Sequence, residues 1–196
     1  MEFEQDHPNF KLRKKIMAAM IEGEPILDIG GSNLDWGYKN IEKVDWSEKV
    51  KPDYVWNLEN GLPKLKKKYK TIIAGEIIEH IVNIEKLLDD CHDALLDGGV
   101  MVISTPNMLS LRNRIFAVLG RDLPYSSWDW NIDGKGEGVR HVNDFSWKRV
   151  NLILSKHGFE IVQARTTGFC AGPVLIPHPN FLHSFGDEII VKVRKK

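Results

Sequence analysis

The 196-residue sequence predicts an α/β protein in which helices cover both faces of a mostly parallel sheet. Two observations support this prediction. Short apolar stretches alternate with longer stretches of helical periodicity, a pattern typical of strands joined by helical crossovers. The final two apolar stretches have no helix-length pattern between them, so the last strand is expected to pair antiparallel.

Seven segments are predicted to be strands, because each is short, apolar or rich in β-branched residues, and flanked by turn formers. In chain order they are PILDIG at 25–30, EKVDW at 42–46, DYVWNL at 53–58, KTIIAGE at 70–76, VMVISTP at 100–106, FEIVQARTT at 159–167 and DEIIVKVRK at 187–195.

Four segments are predicted to be helices. The clearest is NIEKLLDDCHDALLDGG, where Asn83 is the expected N-cap, apolar residues recur at helical spacing, and Gly98 and Gly99 end the helix. The others span 9–22, 108–120, and 144–158, the last opened by Asp144 and closed by Gly158. Many turn formers and no apolar periodicity predict a long loop after the third helix, at 121–140.

Composition narrows the class of protein. The chain has 27 basic and 27 acidic residues, so nucleic acid is not the expected main partner. Its 42% hydrophobic content and its length predict one domain over 1–196, with an N-terminal helix within 1–24. The acidic start MEFEQDHPNF is not typical of a signal peptide, and no apolar run is long enough for a membrane helix, so a cytoplasmic location is expected.

The stretch ILDIGGSNLDW at 26–36 draws attention because it combines a buried acid with a double glycine. Asp28 lies near the end of the first strand, and Gly30 and Gly31 form the turn, where glycine lets the backbone approach a ligand. Asp45 ends the second strand, where a carboxylate can accept hydrogen bonds from ribose hydroxyls. The dinucleotide pattern G-x-G-x-x-G is absent here, because G-G-S-N-L-D follows instead.

This stretch resembles the first motif, D-x-G-x-G-x-G, of class I S-adenosylmethionine-dependent methyltransferases. Asp28 and Gly30 match it, whereas Ser32 and Leu34 stand where the later glycines usually are. Two further stretches, GEIIEHIVNIEKLLDDCHDALLDGGVMVISTPN and HVNDFSWKRVNLILSKHGFEIVQ, resemble later segments of the same superfamily in the same order. The resemblance covers roughly residues 25–165 and is nearest to small methyltransferases that act on metabolites, quinone precursors and sugars.

The resemblance implies a doubly wound, Rossmann-like sheet and S-adenosylmethionine as the methyl donor. It implies that the turn after the first strand lies under the methionine and ribose, that the second and third strand ends hold the ribose and adenine, and that the fourth faces the amino-acid end. The residues concerned are Asp28, Gly30, Gly31, Ser32, Asp45, Trp46, Asn57, Leu58, Gly75 and Glu76.

Two histidines are the candidate catalytic residues. His80 lies near the strand ends, and His141 matches a histidine of the resembled segment; either is suited to remove a proton from a hydroxyl acceptor. Glu76, Glu79 and His80 have the spacing of one helical face, but no further ligand is in register, so no metal site is predicted. Structural capping is the alternative role for Glu79.

The acceptor is expected to be a small molecule, with O-methylation slightly favoured. Tyr125, Trp128 and Trp130 in the loop at 121–140 suit a lid that stacks on an aromatic or sugar-like acceptor. A monomer and a homodimer both remain open. The alternatives are a nonenzymatic S-adenosylmethionine-binding regulator, an RNA or protein methyltransferase, and a nucleotide-linked oxidoreductase on a similar sheet.

Overall fold

The structure, a computed structural model, describes residues 8–31, 34–123, 141–171, 174–176 and 184–196. The strands are β1 (Ile26–Ile29), β2 (Ile41–Asp45), β3 (Tyr54–Val55), β4 (Tyr69–Gly75), β5 (Leu95–Pro106), β6 (Phe159–Thr166), β7 (Phe169–Ala171), β8 (Val174–Ile176) and β9 (Glu188–Lys195). The helices are α1 (Pro8–Ala18), α2 (Ile84–Ala94), α3 (Leu111–Val118) and α4 (Trp147–Lys156).

Seven of these strands form one sheet in the order β3-β2-β1-β4-β5-β9-β6. The pairs from β3 through β5 are parallel, whereas β9 runs antiparallel to both β5 and β6. The predicted fold class is therefore confirmed, including the antiparallel last strand. The order of strands reverses between β1 and β4, which is where sheets of this kind bind ligands.

Helices pack on both faces of the sheet. Successive residues of β4 point to opposite sides, so Ile72 joins a core with Leu87 of α2 and Val150 of α4, while Ile73 joins another with Met17 of α1. All five side chains are buried. The amphipathic helices thus hold the sheet rigid from both sides, and the strand ends form a fixed edge on which a site can be built.

Several predicted boundaries were wrong, among them the end of the first helix, which lies at Ala18 and not at 22, and the start of the third, which lies at Leu111 and not at 108. The helix expected to end at Gly98 and Gly99 ends at Ala94, because Leu95 is fully buried and pairs with Tyr69 as the first residue of β5. Ser146, and not Asp144, caps α4: its side chain accepts a hydrogen bond from the Arg149 backbone N–H.

The third predicted strand is shorter than expected, because Leu58–Asn60 form a 3₁₀ turn after Tyr54–Val55. The hairpin of β7 and β8 was not predicted.

The N-cap of α2 is a residue whose contribution to stability can be measured directly. The Asn83 side chain accepts a hydrogen bond from the Lys86 backbone N–H, as the sequence predicted. Replacing Asn83 with alanine is expected to lower the free energy of unfolding by about 0.5–2 kcal/mol, measured by urea denaturation. Asn83→Asp keeps an acceptor and is expected to retain most of the stability. An equal loss of unfolding free energy in both variants would show that the side-chain cap does not stabilise α2.

Candidate functional site

A narrow cleft, partly open to solvent, lies at the carboxyl ends of β1 and β4. This is the point where the strand order reverses. The helix α1 forms one wall and covers the strand ends. The lining residues are Phe10, Arg13, Lys14 and Met17 from α1 together with Asp28, Gly31, Leu34, Trp36 and Gly75.

Asp28 is the buried acid of this cleft. Trp36 donates a hydrogen bond from Nε1 to Asp28 Oδ2 over 2.9 Å. The other carboxylate oxygen, Oδ1, is buried and has no hydrogen-bond partner among the described residues. Burial raises the pKa of Asp28 to about 6, against the lowering effect of Trp36 and Lys43. Asp28 therefore lines the cleft with one carboxylate oxygen that no described residue satisfies.

The two glycines after β1 are required by space. Gly30 has a φ of +65°, and a Cβ at that position would lie 2.6 Å from Ile77 Cδ1. A Cβ on Gly31 would overlap the carboxylate of Asp28. The turn is therefore closely packed and has no room for a side chain at either position. Ser32, the next predicted contact, lies outside the described residues.

The ends of β2 and β3 carry the residues predicted to bind the ribose and adenine. Asp45 is buried, and its Oδ1 accepts a hydrogen bond from the Ser47 backbone N–H at 2.8 Å. The neighbouring Trp46 is 70% exposed, so its ring is available for packing on a ligand. The Asn57 side chain caps the 3₁₀ turn by accepting from the Glu59 N–H, and Leu58 is buried.

An ion-pair network closes the end of β4. Glu76 follows Gly75 with a φ of +53°, a left-handed conformation that is uncommon outside glycine. Ser104 donates a hydrogen bond to Glu76 Oε1 at 2.8 Å, and Arg13 Nη1 lies 3.2 Å from Glu76 Oε2. The same Arg13 nitrogen lies 3.0 Å from Glu188 Oε1, so one cation of α1 links two strand ends.

The two predicted catalytic histidines are brought together. The ring centroids of His80 and His141 lie 4.7 Å apart, with a 58° angle between the ring planes. The backbone carbonyl of Glu79 accepts hydrogen bonds from the N–H groups of Val142 and Asn143, which holds the chain at His141 beside His80. Side-chain ligand atoms of Glu79, His80 and His141 all lie within 4.8 Å of one another, so this group could hold a metal ion.

Three residues of this region were not singled out by the sequence analysis. They are Arg13, Trp36 and Glu188, which contact the strand-end acids or each other. Burial raises the pKa of Glu188 to about 8, although the nearby Arg13 opposes the shift. Arg13 stands among three lysines in FKLRKK, so nothing in the local pattern distinguishes it. Of the three, only Trp36 lay in a stretch that had drawn attention in the sequence, as the last residue of ILDIGGSNLDW.

Two other predictions concern the lid and the expected lack of a membrane-spanning helix. Tyr125, Trp128 and Trp130 of the predicted lid lie outside the described residues. Within the described ranges, the structure contains no helix that is both long enough and apolar enough to cross a bilayer.

Comparison with known proteins adds independent findings. A family described as a methyltransferase domain matches residues 6–164. The chain is 32% identical over 143 residues to a ubiquinone biosynthesis O-methyltransferase of Pelagibacter ubique. That match covers 68% of this chain and 57% of the relative, so the chain spans little more than half of the relative's length.

Solved structures show the same fold at low sequence identity. An S-adenosylmethionine-dependent methyltransferase of Thermotoga maritima, a possible histamine N-methyltransferase, has a TM-score of 0.66 at 16% identity, covering 94% of this chain and 89% of its own. The N-methyltransferase NodS of Bradyrhizobium japonicum, solved with S-adenosylhomocysteine, has a TM-score of 0.60 at 14% identity, covering 97% and 89%. With the family match over most of its length, the chain belongs to the class I S-adenosylmethionine-dependent methyltransferases.

Proposed function

We propose that this chain transfers a methyl group from S-adenosylmethionine to a hydroxyl group of a small-molecule acceptor. The observation that carries the proposal is the buried Asp28 carboxylate, whose Oδ1 has no partner within the described part of the chain and which lines a cleft at the switch point of the sheet. A buried anion of this kind calls for a cationic ligand, and the donor carries an ammonium group.

The charges around the cleft suit both ends of the methionine moiety. Asp28 and Glu76 are the acids that can accept from its ammonium group, while Arg13 and Lys14 supply cations for its carboxylate. Gly31 lines the same cleft and carries no side chain that would stand between the donor and the turn.

The neighbouring strand ends would hold the nucleoside. Asp45, at the end of β2, is the residue we assign to the ribose hydroxyls, because a carboxylate can accept from both. The exposed ring of Trp46 and the segment of Asn57 and Leu58 would flank the adenine. This order along β1 to β3 matches a donor that lies across the strand ends.

When bound, S-adenosylmethionine supplies a methyl group that its sulfonium has already activated. The chain has to hold the acceptor in line with that methyl, and such positioning contributes roughly 7–11 kcal/mol in favourable cases. A phenolic hydroxyl with a pKa near 10 is mostly protonated at neutral pH, so its proton has to be removed. The pair of His80 and His141 is the group that we assign to this task.

A hydroxyl acceptor is favoured by two observations. The relative in Pelagibacter ubique is named as an O-methyltransferase, and the histidine pair offers a way to remove a hydroxyl proton. A small acceptor suits the balanced charge of 27 basic and 27 acidic residues, which gives no surplus for a nucleic-acid backbone.

Calorimetric titration with S-adenosylmethionine, and separately with S-adenosylhomocysteine, tests the donor site. We expect micromolar binding by the wild type and at least a tenfold loss in Asp45→Ala, because the ribose loses its acceptor. Asp97→Ala removes an exposed acid outside the site and is expected to bind like the wild type. No binding by the wild type, or equal binding by all three proteins, would contradict the proposal.

Turnover is tested by release of S-adenosylhomocysteine in the presence of catechols, other phenols and sugars. We expect release with at least one hydroxyl compound and a loss of that release in Asp45→Ala. Tight donor binding without release for any acceptor would favour a nonenzymatic S-adenosylmethionine-binding protein instead.

A further inference from the structure

Arg13 of α1 is held at the cleft by two acids that come from different strands. Its Nη1 atom lies 3.0 Å from Glu188 Oε1 and 3.2 Å from Glu76 Oε2. Within the described part of the chain, every hydrogen bond and ion pair of Arg13 is made by this one nitrogen. Nε and Nη2 form the edge with which a guanidinium binds a carboxylate through two parallel hydrogen bonds, and this edge has no partner among those residues.

The sheet fixes the position of Glu188. This residue begins β9, pairs with Pro106 of β5, and accepts a 2.6 Å hydrogen bond at its backbone carbonyl from Thr166 Oγ1. Only 8% of the residue is exposed. Glu188 therefore presents Oε1 to Arg13 from a place that the rest of the sheet determines.

The packing of α1 places the guanidinium group of Arg13 on the cleft side. Met17, one turn further along the same helical face, is buried, and a Cβ on Gly75 would lie 3.4 Å from its Cε atom. The Cζ atom of Arg13 lies 5.1 Å from the centroid of the Phe10 ring, and both residues line the cleft with Asp28. The guanidinium group is thus held by an aromatic ring and by two carboxyl groups.

Glu188 can orient Arg13 without cancelling its charge. Burial raises the pKa of Glu188 to about 8, although the nearby Arg13 opposes the shift, so the carboxyl group is mostly protonated at neutral pH. The carbonyl oxygen of a protonated carboxyl group still accepts a hydrogen bond. Arg13 therefore keeps a positive charge that can attract an anionic ligand, with Glu76 as its charged partner at contact distance.

We propose that Glu188 is a positioning residue for the methyl donor: it holds Arg13 so that Nε and Nη2 bind the α-carboxylate of S-adenosylmethionine. This inference deepens the proposed function and rests on it. Asp28 and Glu76 would accept from the ammonium group of the same ligand, so both charged groups of its amino-acid end meet the opposite charge. The last strand then contributes to donor binding, although Glu188 itself is not among the residues that line the cleft.

The test compares two ligands by calorimetric titration. One is S-adenosylhomocysteine, and the other is its decarboxylated analogue, which keeps the ammonium group and lacks only the carboxylate. We expect the wild type to bind S-adenosylhomocysteine at least tenfold more tightly than the analogue. Arg13→Gln is expected to lose at least tenfold in affinity for S-adenosylhomocysteine and less than threefold for the analogue. Lys15→Gln removes an exposed cation of the same helix and is expected to bind both ligands like the wild type.

Two substitutions of Glu188 separate positioning from a structural role. Glu188→Ala removes the acceptor, so it is expected to reduce the preference for S-adenosylhomocysteine over the analogue at least fivefold. Glu188→Gln keeps a carbonyl oxygen for Arg13 Nη1 and is expected to preserve the preference within about twofold of the wild type. Thermal unfolding shows which variants are folded. Glu188→Met fills the same space without an acceptor and replaces Glu188→Ala if that variant does not fold.

The outcomes distinguish this inference from the proposed function. An equal loss of affinity for both ligands in Glu188→Ala would show a merely structural role and overturn the inference. An unchanged preference in Arg13→Gln would overturn it as well, because another group would then bind the carboxylate. S-adenosylhomocysteine binding by the wild type would leave the proposed donor site standing in either case. Binding of neither ligand by the wild type would contradict the proposed function itself.

Discussion

Replacing Asp28 with asparagine is expected to stabilise the ligand-free protein at pH 8 and, at the same time, to weaken S-adenosylmethionine binding at least tenfold. Burial raises the pKa of Asp28 to about 6 from an ordinary value of 3.8. Between these values the folded chain holds the proton more tightly than the unfolded chain does. The free energy of unfolding therefore falls as the pH rises through this window.

The size of the effect follows from the same two pKa values. Each pH unit between them is worth about 1.4 kcal/mol, so the charged carboxylate lowers the stability by roughly 3 kcal/mol above pH 6 and by little below pH 4. An asparagine leaves one buried N–H donor in need of a partner, which cancels about 1–3 kcal/mol of the gain. The expected net gain at pH 8 is on the order of 1 kcal/mol.

Urea denaturation of the wild type and of Asp28→Asn at several pH values from 4 to 8 measures the difference. The gap between the two proteins is expected to widen between pH 4 and pH 6 and to stay constant above. Asp97→Asn, an exposed control, is expected to follow the wild type throughout. A gap that does not depend on pH would show that Asp28 is not the titrating group.

Asp28→Asn is thus expected to raise the stability of the ligand-free protein and to lower its affinity for the donor. A buried charge that lowers stability is retained where it has a use, and here the use would be to accept from the ammonium group of the donor. If Asp28→Asn gained stability without losing donor affinity, the acid would have no function at the cleft.

Most of the fold was predictable because its signals are local. A buried strand such as PILDIG is short, apolar and followed by glycine, and a helix such as α2 carries its apolar stripe and its cap within one stretch. The prediction failed where one residue fits both patterns. Leu95 continues the helical spacing of α2, and only its pairing with Tyr69 in β4 makes it the first residue of β5.

The positions of the strand-end residues were predictable for a similar reason. Asp28 lies one residue before the end of β1 and Gly75 ends β4; because these strands are parallel neighbours, both residues line the same cleft. The partners of these acids were not predictable, because they come from distant parts of the chain. Arg13 and Glu188 are separated by 175 positions, and only the packing of α1 over the β9 end brings them together.

His141 illustrates the same limit in the histidine cluster. Its sequence match indicated a return toward the site, but its distance from His80 depends on two backbone hydrogen bonds to the Glu79 carbonyl. The spacing of Glu76, Glu79 and His80 alone did not show that His141 would join this group. The contact between His80 and His141 is therefore formed by the tertiary structure and could not be read from the local sequence.

Replacing Gly31 with alanine is expected to lower the free energy of unfolding by about 1–3 kcal/mol and to weaken S-adenosylmethionine binding at least a hundredfold. The added Cβ would overlap the carboxylate of Asp28, which Trp36 holds in place through a 2.9 Å hydrogen bond. Either the carboxylate leaves Trp36 or the turn moves away from β1, and overpacking of this kind costs about 1–3 kcal/mol. Both movements disturb the surface on which the donor would lie.

A double-mutant cycle with Asp28→Ala shows whether the overlap is the cause. Urea denaturation of the two single variants and the double variant gives their coupling energy. Because Asp28→Ala removes the overlapping atoms, adding Gly31→Ala to it is expected to cost less than adding it to the wild type, by about 1 kcal/mol or more. Equal costs in both backgrounds would mean that Gly31 is needed for its backbone alone, and that the packing against Asp28 does not shape the turn.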